Sequence, residues 1–320
     1  MKVGIVACSN GLYPEKKVQL DALEIQLKKL GIQMVLSPHL YSTDRVAAGT
    51  AAERAEDLMA FYRDETIGGI FDVSGGDIAN EVLTLLDYKQ IAASGKLFWG
   101  YSDLTTVINA IYAKTGKMSV LYQIRNIVRT EAEMQQERFR SYVEANASEL
   151  SGDSSAVLKQ PPKLSDDSRA VLKQPLELSG DSSAVLKQPT DLFDIQYEFL
   201  QGSHMSGIVV GGNVRCLLKL AGTPYWPDMS GKILFLEALG GEEGQLATYF
   251  SQLEQIGVFD QVAGILLGTF TRFEEIDRGV TVYEMLRGHL SDKVPVAKTP
   301  DVGHGADAKA LRIGGYLELR

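Results

Sequence analysis

Apolar positions along the chain alternate between two spacings. Residues 2–8 (KVGIVAC) are a short β-branched run; a Ser/Asn/Gly loop follows, and Leu20, Leu23, Leu27 and Leu30 then recur at helical intervals. That pattern predicts strand, loop and helix. It returns with strands at 34–36, 69–73 and 96–101 and helices at 51–63, 78–86 and 104–114. Regular alternation of this kind predicts a parallel sheet covered on both faces. Ligands of such sheets collect at the carboxyl ends of the strands, so the loops after Cys8, Val73 and Tyr101 are expected around one crevice.

Near residue 150 the pattern stops. LSGDSSAVLKQP at 150–161 returns as LSDDSRAVLKQP at 164–175 and as LSGDSSAVLKQP at 178–189, a tandem repeat of period 14. The unit is shorter and more polar than a solenoid repeat, so it reads as a duplicated spacer or domain-packing insert rather than a binding array. From residue 206 the runs SGIVVGGN, GKILFLEAL, VAGILLGTF and VPVAKTP predict a second, strand-richer unit with helices at 244–256 and 281–290. The expected organisation is an α/β protein. A Rossmann-like parallel-sheet domain spans 1–145, a repeat-bearing linker 146–200, and a mixed α/β, barrel-like domain 201–320.

Composition narrows the function. Of 320 residues 45% are hydrophobic and 23% charged, enough for sizeable cores. The net charge is −9 and no Lys/Arg cluster forms a phosphate-neutralising stripe, which argues against nucleic-acid binding. The two cysteines, Cys8 and Cys216, make neither a disulfide framework nor a metal-ligand spacing and read as free thiols of a reducing compartment. No stretch of about 18 apolar residues suggests a membrane span, and no leader pattern opens the chain, so a cytoplasmic protein is expected. Neither metal nor cofactor is expected: the glycine pairs Gly75-Gly76 and Gly211-Gly212 fit no nucleotide-binding fingerprint.

Few residues can carry acid–base chemistry. Of His39, His204, His289 and His304, only the last sits between glycines, Gly303 and Gly305, just after a strand, where a loop can approach another element closely. Ser102 follows the strand LFW and precedes a helix. That turn exposes a hydroxyl, with the next N–H aimed where an oxyanion would form, although an N-cap serine explains the same residues. Glu237 ends the apolar run ILFLE; it either faces water or, buried beside an imidazole, orients it.

Taken together, Ser-Gly-Gly-Asp-x-x-Asn at 74–80, Gly-Tyr-Ser-Asp at 100–103, Gly-Gly-Asn at 211–213, Leu-x-Gly-Thr-x-Tyr-x-Pro at 220–227, Ile-Leu-Phe-Leu-Glu at 233–237 and Gly-His-Gly at 303–305 resemble the LD-carboxypeptidase family of serine peptidases, which includes the microcin C self-immunity peptidases. The resemblance covers most of 1–140 and 200–320. It implies Ser102 as nucleophile, His304 as general base, Glu237 as its orienting carboxylate, and the amides of Gly76 and Asp103 as oxyanion hole. It also implies a cofactor-independent carboxypeptidase acting on a small peptide in murein tetrapeptide recycling, and a homodimer. Two alternatives stand beside that function. One is a microcin-immunity-type hydrolase of aminoacyl-nucleotide analogues, with Tyr197, Phe199, Tyr225 and Trp226 available to stack on a base. The other is a catalytically silent small-molecule binder. The chain departs from the family at Leu121-Tyr122-Gln123-Ile124, where relatives often carry Gly-Pro, and in its repeats.

Overall fold

The computed structural model describes residues 1–42, 46–146, 192–276 and 278–320. The repeats at 150–189, and most of the expected linker, lie outside the described residues. In the first half, strands β1 (Lys2–Val6), β2 (Gln33–Leu36), β3 (Ile67–Asp72), β4 (Leu97–Gly100) and β5 (Ser119–Leu121) alternate with helices α1 (Lys17–Lys29), α2 (Ala51–Arg63), α3 (Tyr88–Ala93) and α4 (Thr105–Thr115), and α5 (Ala132–Ala145) follows. The second half contains β6 (Glu198–Gln201), β7 (Met205–Asn213), α6 (Val214–Leu218), β8 (Ile233–Ala238), α7 (Glu243–Gln255), β9 (Gly264–Phe270), α8 (Thr271–Glu274), α9 (Val282–Arg287), β10 (Val296–Lys298), β11 (Leu311–Ile313) and β12 (Tyr316–Leu319).

Two six-stranded sheets result, ordered β11-β5-β4-β3-β1-β2 and β12-β7-β8-β9-β10-β6. The first is parallel except for β11, which runs antiparallel to β5. The second is parallel from β7 to β10, antiparallel at both edges, and curls into a half-barrel. β3 and β8 are buried at every position, which is why they read as continuous apolar runs rather than alternating ones.

Local chemistry explains the elements that hold the site. α2 starts at a capping box in which Thr50 Oγ1 accepts from Glu53 N and the Glu53 carboxylate accepts from Thr50 N. β4 alternates faces: Phe98 packs into one core, and Trp99 packs on Phe71 and Tyr142 in the other, at ring-centroid distances of 5.1 and 5.2 Å. Each such pair is worth about 0.5–1.5 kcal/mol beyond its buried area, so the strand that delivers Ser102 is firmly seated. The helix expected at 78–86 is a 3₁₀ segment, Ala79–Leu85. Side chains from elsewhere hold both its ends, Asp103 Oδ2 on Ala79 N and the Tyr88 hydroxyl on Leu83 O.

The halves meet along β7. Gly211 and Gly212 have φ of +109° and +141°, and a Cβ on Gly212 would lie 2.5 Å from Thr105 Oγ1 of α4. The Asn109 amide of α4 bonds both N and O of Gly211 at 2.9 Å. This glycine pair therefore serves packing between the halves.

Candidate active site

Ser102 stands two residues beyond the end of β4 with φ +59°, the one positive φ outside glycine among the described residues. Its Oγ lies 3.1 Å from His304 Nε2, and His304 Nδ1 lies 2.6 Å from Glu237 Oε2. Glu237 accepts the Nδ1 proton, which leaves Nε2 as the lone pair facing the serine hydroxyl. No side-chain cap bond forms at the start of the 3₁₀ turn Ser102–Leu104 or of α4, so Ser102 does not act as an N-cap.

Three sheet ends contribute. The register between β8 and β9 shifts between Leu236 and Ala238, and this bulge re-aims Glu237 at the crevice. The His304 loop descends from β10, and Gly303 is pressed so closely on β9 that a Cβ would lie 1.7 Å from Thr269 Oγ1. The Glu237 carboxylate is fully buried and the His304 ring is only 10% exposed. The other histidines each meet a carboxylate elsewhere: His39 with Asp57 at 3.2 Å, His204 with Glu318 at 3.2 Å, and His289 with Glu254 at 2.7 Å.

Sequence reasoning missed two residues of this site. Tyr101 packs edge-on against the His304 ring at 4.9 Å. Its hydroxyl and Glu237 Oε1 are buried without a hydrogen bond of normal geometry, yet burial first and the carboxylate second push the phenol well above its ordinary value. The second residue is Asp103 as a side chain. Its Oδ2 accepts from Ser9 Oγ at 2.6 Å and from Ala79 N at 2.7 Å, and its Oδ1 accepts from Lys219 Nζ. One buried carboxylate thus fixes the turn after β4, the loops after β1 and β3, and a lysine beyond α6. Only its GYSD context marked it beforehand, as an N–H donor.

Gly75 and Gly76 line the cleft beside Ser102; Gly76 has φ +130° and no room for a Cβ, which would lie 2.2 Å from Asn10. Asp72 at the end of β3 accepts from Cys8 N and Ser74 N at 2.7 Å each, tying the loops after β1 and β3 together. The cleft encloses about 210 Å³. Tyr101 and Tyr122 are the aromatic residues on its wall. Tyr197, Phe199, Tyr225 and Trp226 do not line it; they pack against the core instead. No group of three or more His, Cys, Asp or Glu that could hold a metal occurs among the described residues. No helix among them is long and apolar enough to cross a membrane.

Comparison with known proteins agrees with this architecture. Residues 3–123 match the family model for the LD-carboxypeptidase N-terminal domain, and 206–319 match that for the C-terminal domain. The chain is 28% identical to the microcin C7 self-immunity protein of Escherichia coli over 92% of its own length and 83% of that protein. It is 27% identical to a probable murein peptide carboxypeptidase of Bacillus subtilis, over 99% and 88%. The solved structure of the self-immunity protein MccF with glutamyl sulfamoyl guanosine superposes with a TM-score of 0.77 at 24% identity, covering 99% of this chain and 92% of that one, a likeness of fold.

Proposed function

The chain belongs to the LD-carboxypeptidase family, and from that premise we propose that it is a serine hydrolase that removes a terminal D-amino acid from an L-centre, with Ser102, His304 and Glu237 as its catalytic triad. The observation that carries the reading is the continuous chain of contacts from Ser102 Oγ through the imidazole to a buried carboxylate, at 3.1 and 2.6 Å. Ser102 Oγ attacks the scissile carbonyl while Nε2 takes its proton; the imidazolium so formed faces Glu237. The N–H groups of Asp103 and Gly76 stabilise the oxyanion. Nε2 then gives its proton to the leaving amine, and water, deprotonated by the same nitrogen, releases the acyl group from Ser102. The mechanism uses no metal and no cofactor.

The relatives named as murein peptide and murein tetrapeptide carboxypeptidases support a murein tetrapeptide as substrate, and we assign the protein to its recycling in the cytoplasm. The self-immunity relative supports a second reading, cleavage of an aminoacyl-nucleotide analogue. The four aromatic residues available to stack on a base lie half-buried against the core and off the cleft wall, which weakens it. Mass spectrometry of products from a muropeptide tetrapeptide and from an aminoacyl-sulfamoyl adenosine tests both. Release of D-alanine alone is expected; cleavage of the adenosine compound alone would overturn the peptidase reading.

A further inference from the structure

The cleft that holds Ser102 and His304 carries an unusual charge pattern. Among the described residues no Asp or Glu lines the cleft, whereas Arg125, Arg129 and Lys309 do, in a chain whose net charge is −9. Lys309 is already neutralised, its Nζ bonded to Asp301 Oδ2 at 2.9 Å. Arg129 meets only a neutral amide, Asn126 Oδ1, at 3.2 Å. Arg125 has less still: its Nε is buried without a hydrogen bond, and its guanidinium makes no hydrogen bond or ion pair with any described residue. Burial first and the neighbouring Arg129 second lower Arg125 to about 10, so it stays charged at neutral pH. The carboxylate that opposes this shift, Asp72, is already engaged by Cys8 N and by the backbone and hydroxyl of Ser74.

A half-buried guanidinium whose Nε is enclosed and unbonded has given up hydration that an anionic ligand can replace. Its planar fork matches a carboxylate. Arg125 stands on the 3₁₀ turn Ile124–Val128, which also brings Asn126 to the cleft. We propose that Arg125, assisted by Arg129, binds the free carboxylate of the residue that leaves, and so makes this enzyme selective for substrates ending in an unblocked acid. The proposal rests on the hydrolase reading above and adds the group that recognises the substrate terminus.

Binding separates the proposal from turnover. On the Ser102→Ala protein, calorimetry measures the affinity of L-Ala-γ-D-Glu-diaminopimelyl-D-Ala, of the same peptide as its terminal amide, and of adenosine monophosphate. The acid is expected to bind about 100-fold tighter than the amide, the order lost when one member of a buried charge pair is removed. Adding Arg125→Met should abolish that preference by weakening the acid alone, and Arg125→Lys should restore part of it. The proposal is overturned by equal affinities for acid and amide, by absence of peptide binding, or by Arg125→Met weakening acid and amide alike, which would assign the guanidinium to an interior carboxylate. Arg125-dependent binding of the nucleotide without the peptide would make the anion a phosphate and equally overturn it. Wild-type release of D-alanine is scored separately. Turnover with an unchanged acid preference in Arg125→Met keeps the hydrolase and sinks the subsite; the preference without turnover does the reverse.

Discussion

Glu237→Gln isolates a single quantity, the charge facing the imidazolium. Glutamine preserves the shape: its oxygen can still accept from His304 Nδ1, and its amide then falls where Glu237 Oε1 now lies against the Tyr101 hydroxyl, which can accept a proton. What disappears is a negative charge whose nearer oxygen is 2.6 Å from the ring. Averaged over both delocalised groups the charges are ~4 Å apart, which at an effective dielectric of ~20 is worth ~4 kcal/mol. At about 1.4 kcal/mol per factor of ten, the predicted loss in kcat is about 10³-fold. The value for bulk water, ~1 kcal/mol, does not apply, because the carboxylate is fully buried and the ring only 10% exposed. Stability should not fall in parallel, since an unpaired buried carboxylate oxygen burdens the folded state. Steady-state kcat on the tetrapeptide, with circular dichroism and a thermal melt of the same sample, makes the check. A well-folded variant keeping more than a tenth of the wild-type kcat would refute charge stabilisation by Glu237. A variant losing kcat and Tm together would make the residue structural.

Ser102→Ala and His304→Ala should each lose nearly all turnover, with the double variant little worse, because they act as one unit; multiplicative losses in kcat would contradict this. The φ of +59° at Ser102 costs an L-residue about 1–2 kcal/mol. Ser102→Gly should accordingly resist denaturant better than Ser102→Ala by about 1 kcal/mol, and equal midpoints would show that the turn is unstrained. Burial pushes the thiols of Cys8 and Cys216 up, aided by Asp72 and Asp103 respectively, so both stay protonated at pH 8. A disulfide reagent should find no reactive thiol in the native protein and two after unfolding. Because only the unfolded thiols ionise near their ordinary value of 9.0, stability should also decline as pH rises above it. A native protein with one fast-reacting thiol would be inconsistent with this. Deleting one 14-residue repeat should leave kcat and the melt unchanged, since each doubling of a connection adds only about 0.6 kcal/mol; an unfolded product would place the repeats in a core.

The alternation of β-branched runs with heptad-like leucines made the first sheet legible, because parallel strands with both faces covered cannot hide their composition. The strand ends that carry Ser102 and Glu237, and the glycines that flank His304, were legible for the same reason: they are abrupt polar interruptions of apolar runs. What escaped is information that only folding creates. β11 is three residues long and shows no period, so its place in the first sheet depends on a partner far away in the chain. The Asp103 carboxylate looks like any helix-start acid until Ser9, Ala79 and Lys219 converge on it. Arg125 is one arginine among many until it proves to line the cleft with no carboxylate bonded to it among the described residues. Tyr197, Phe199, Tyr225 and Trp226 mislead in the opposite sense, since aromatic composition cannot distinguish a stacking surface from side chains half-buried against a core.

β11 also determines how the working parts are tethered. Seven positions after His304 the chain enters the sheet that carries Ser102, and across Gly314–Gly315 it returns to the sheet that carries Glu237. The imidazole is thus moored to both halves, and Gly314 N and Gly315 O clasp Val209 from either side of that return. Ser102 and His304 cannot be treated as parts of separable cassettes. A fragment ending before β11 would leave the β5 edge, Ser119–Leu121, as a bare backbone ladder open to pairing with other chains. The same few residues that tether His304 to both sheets therefore also seal the β5 edge against self-association.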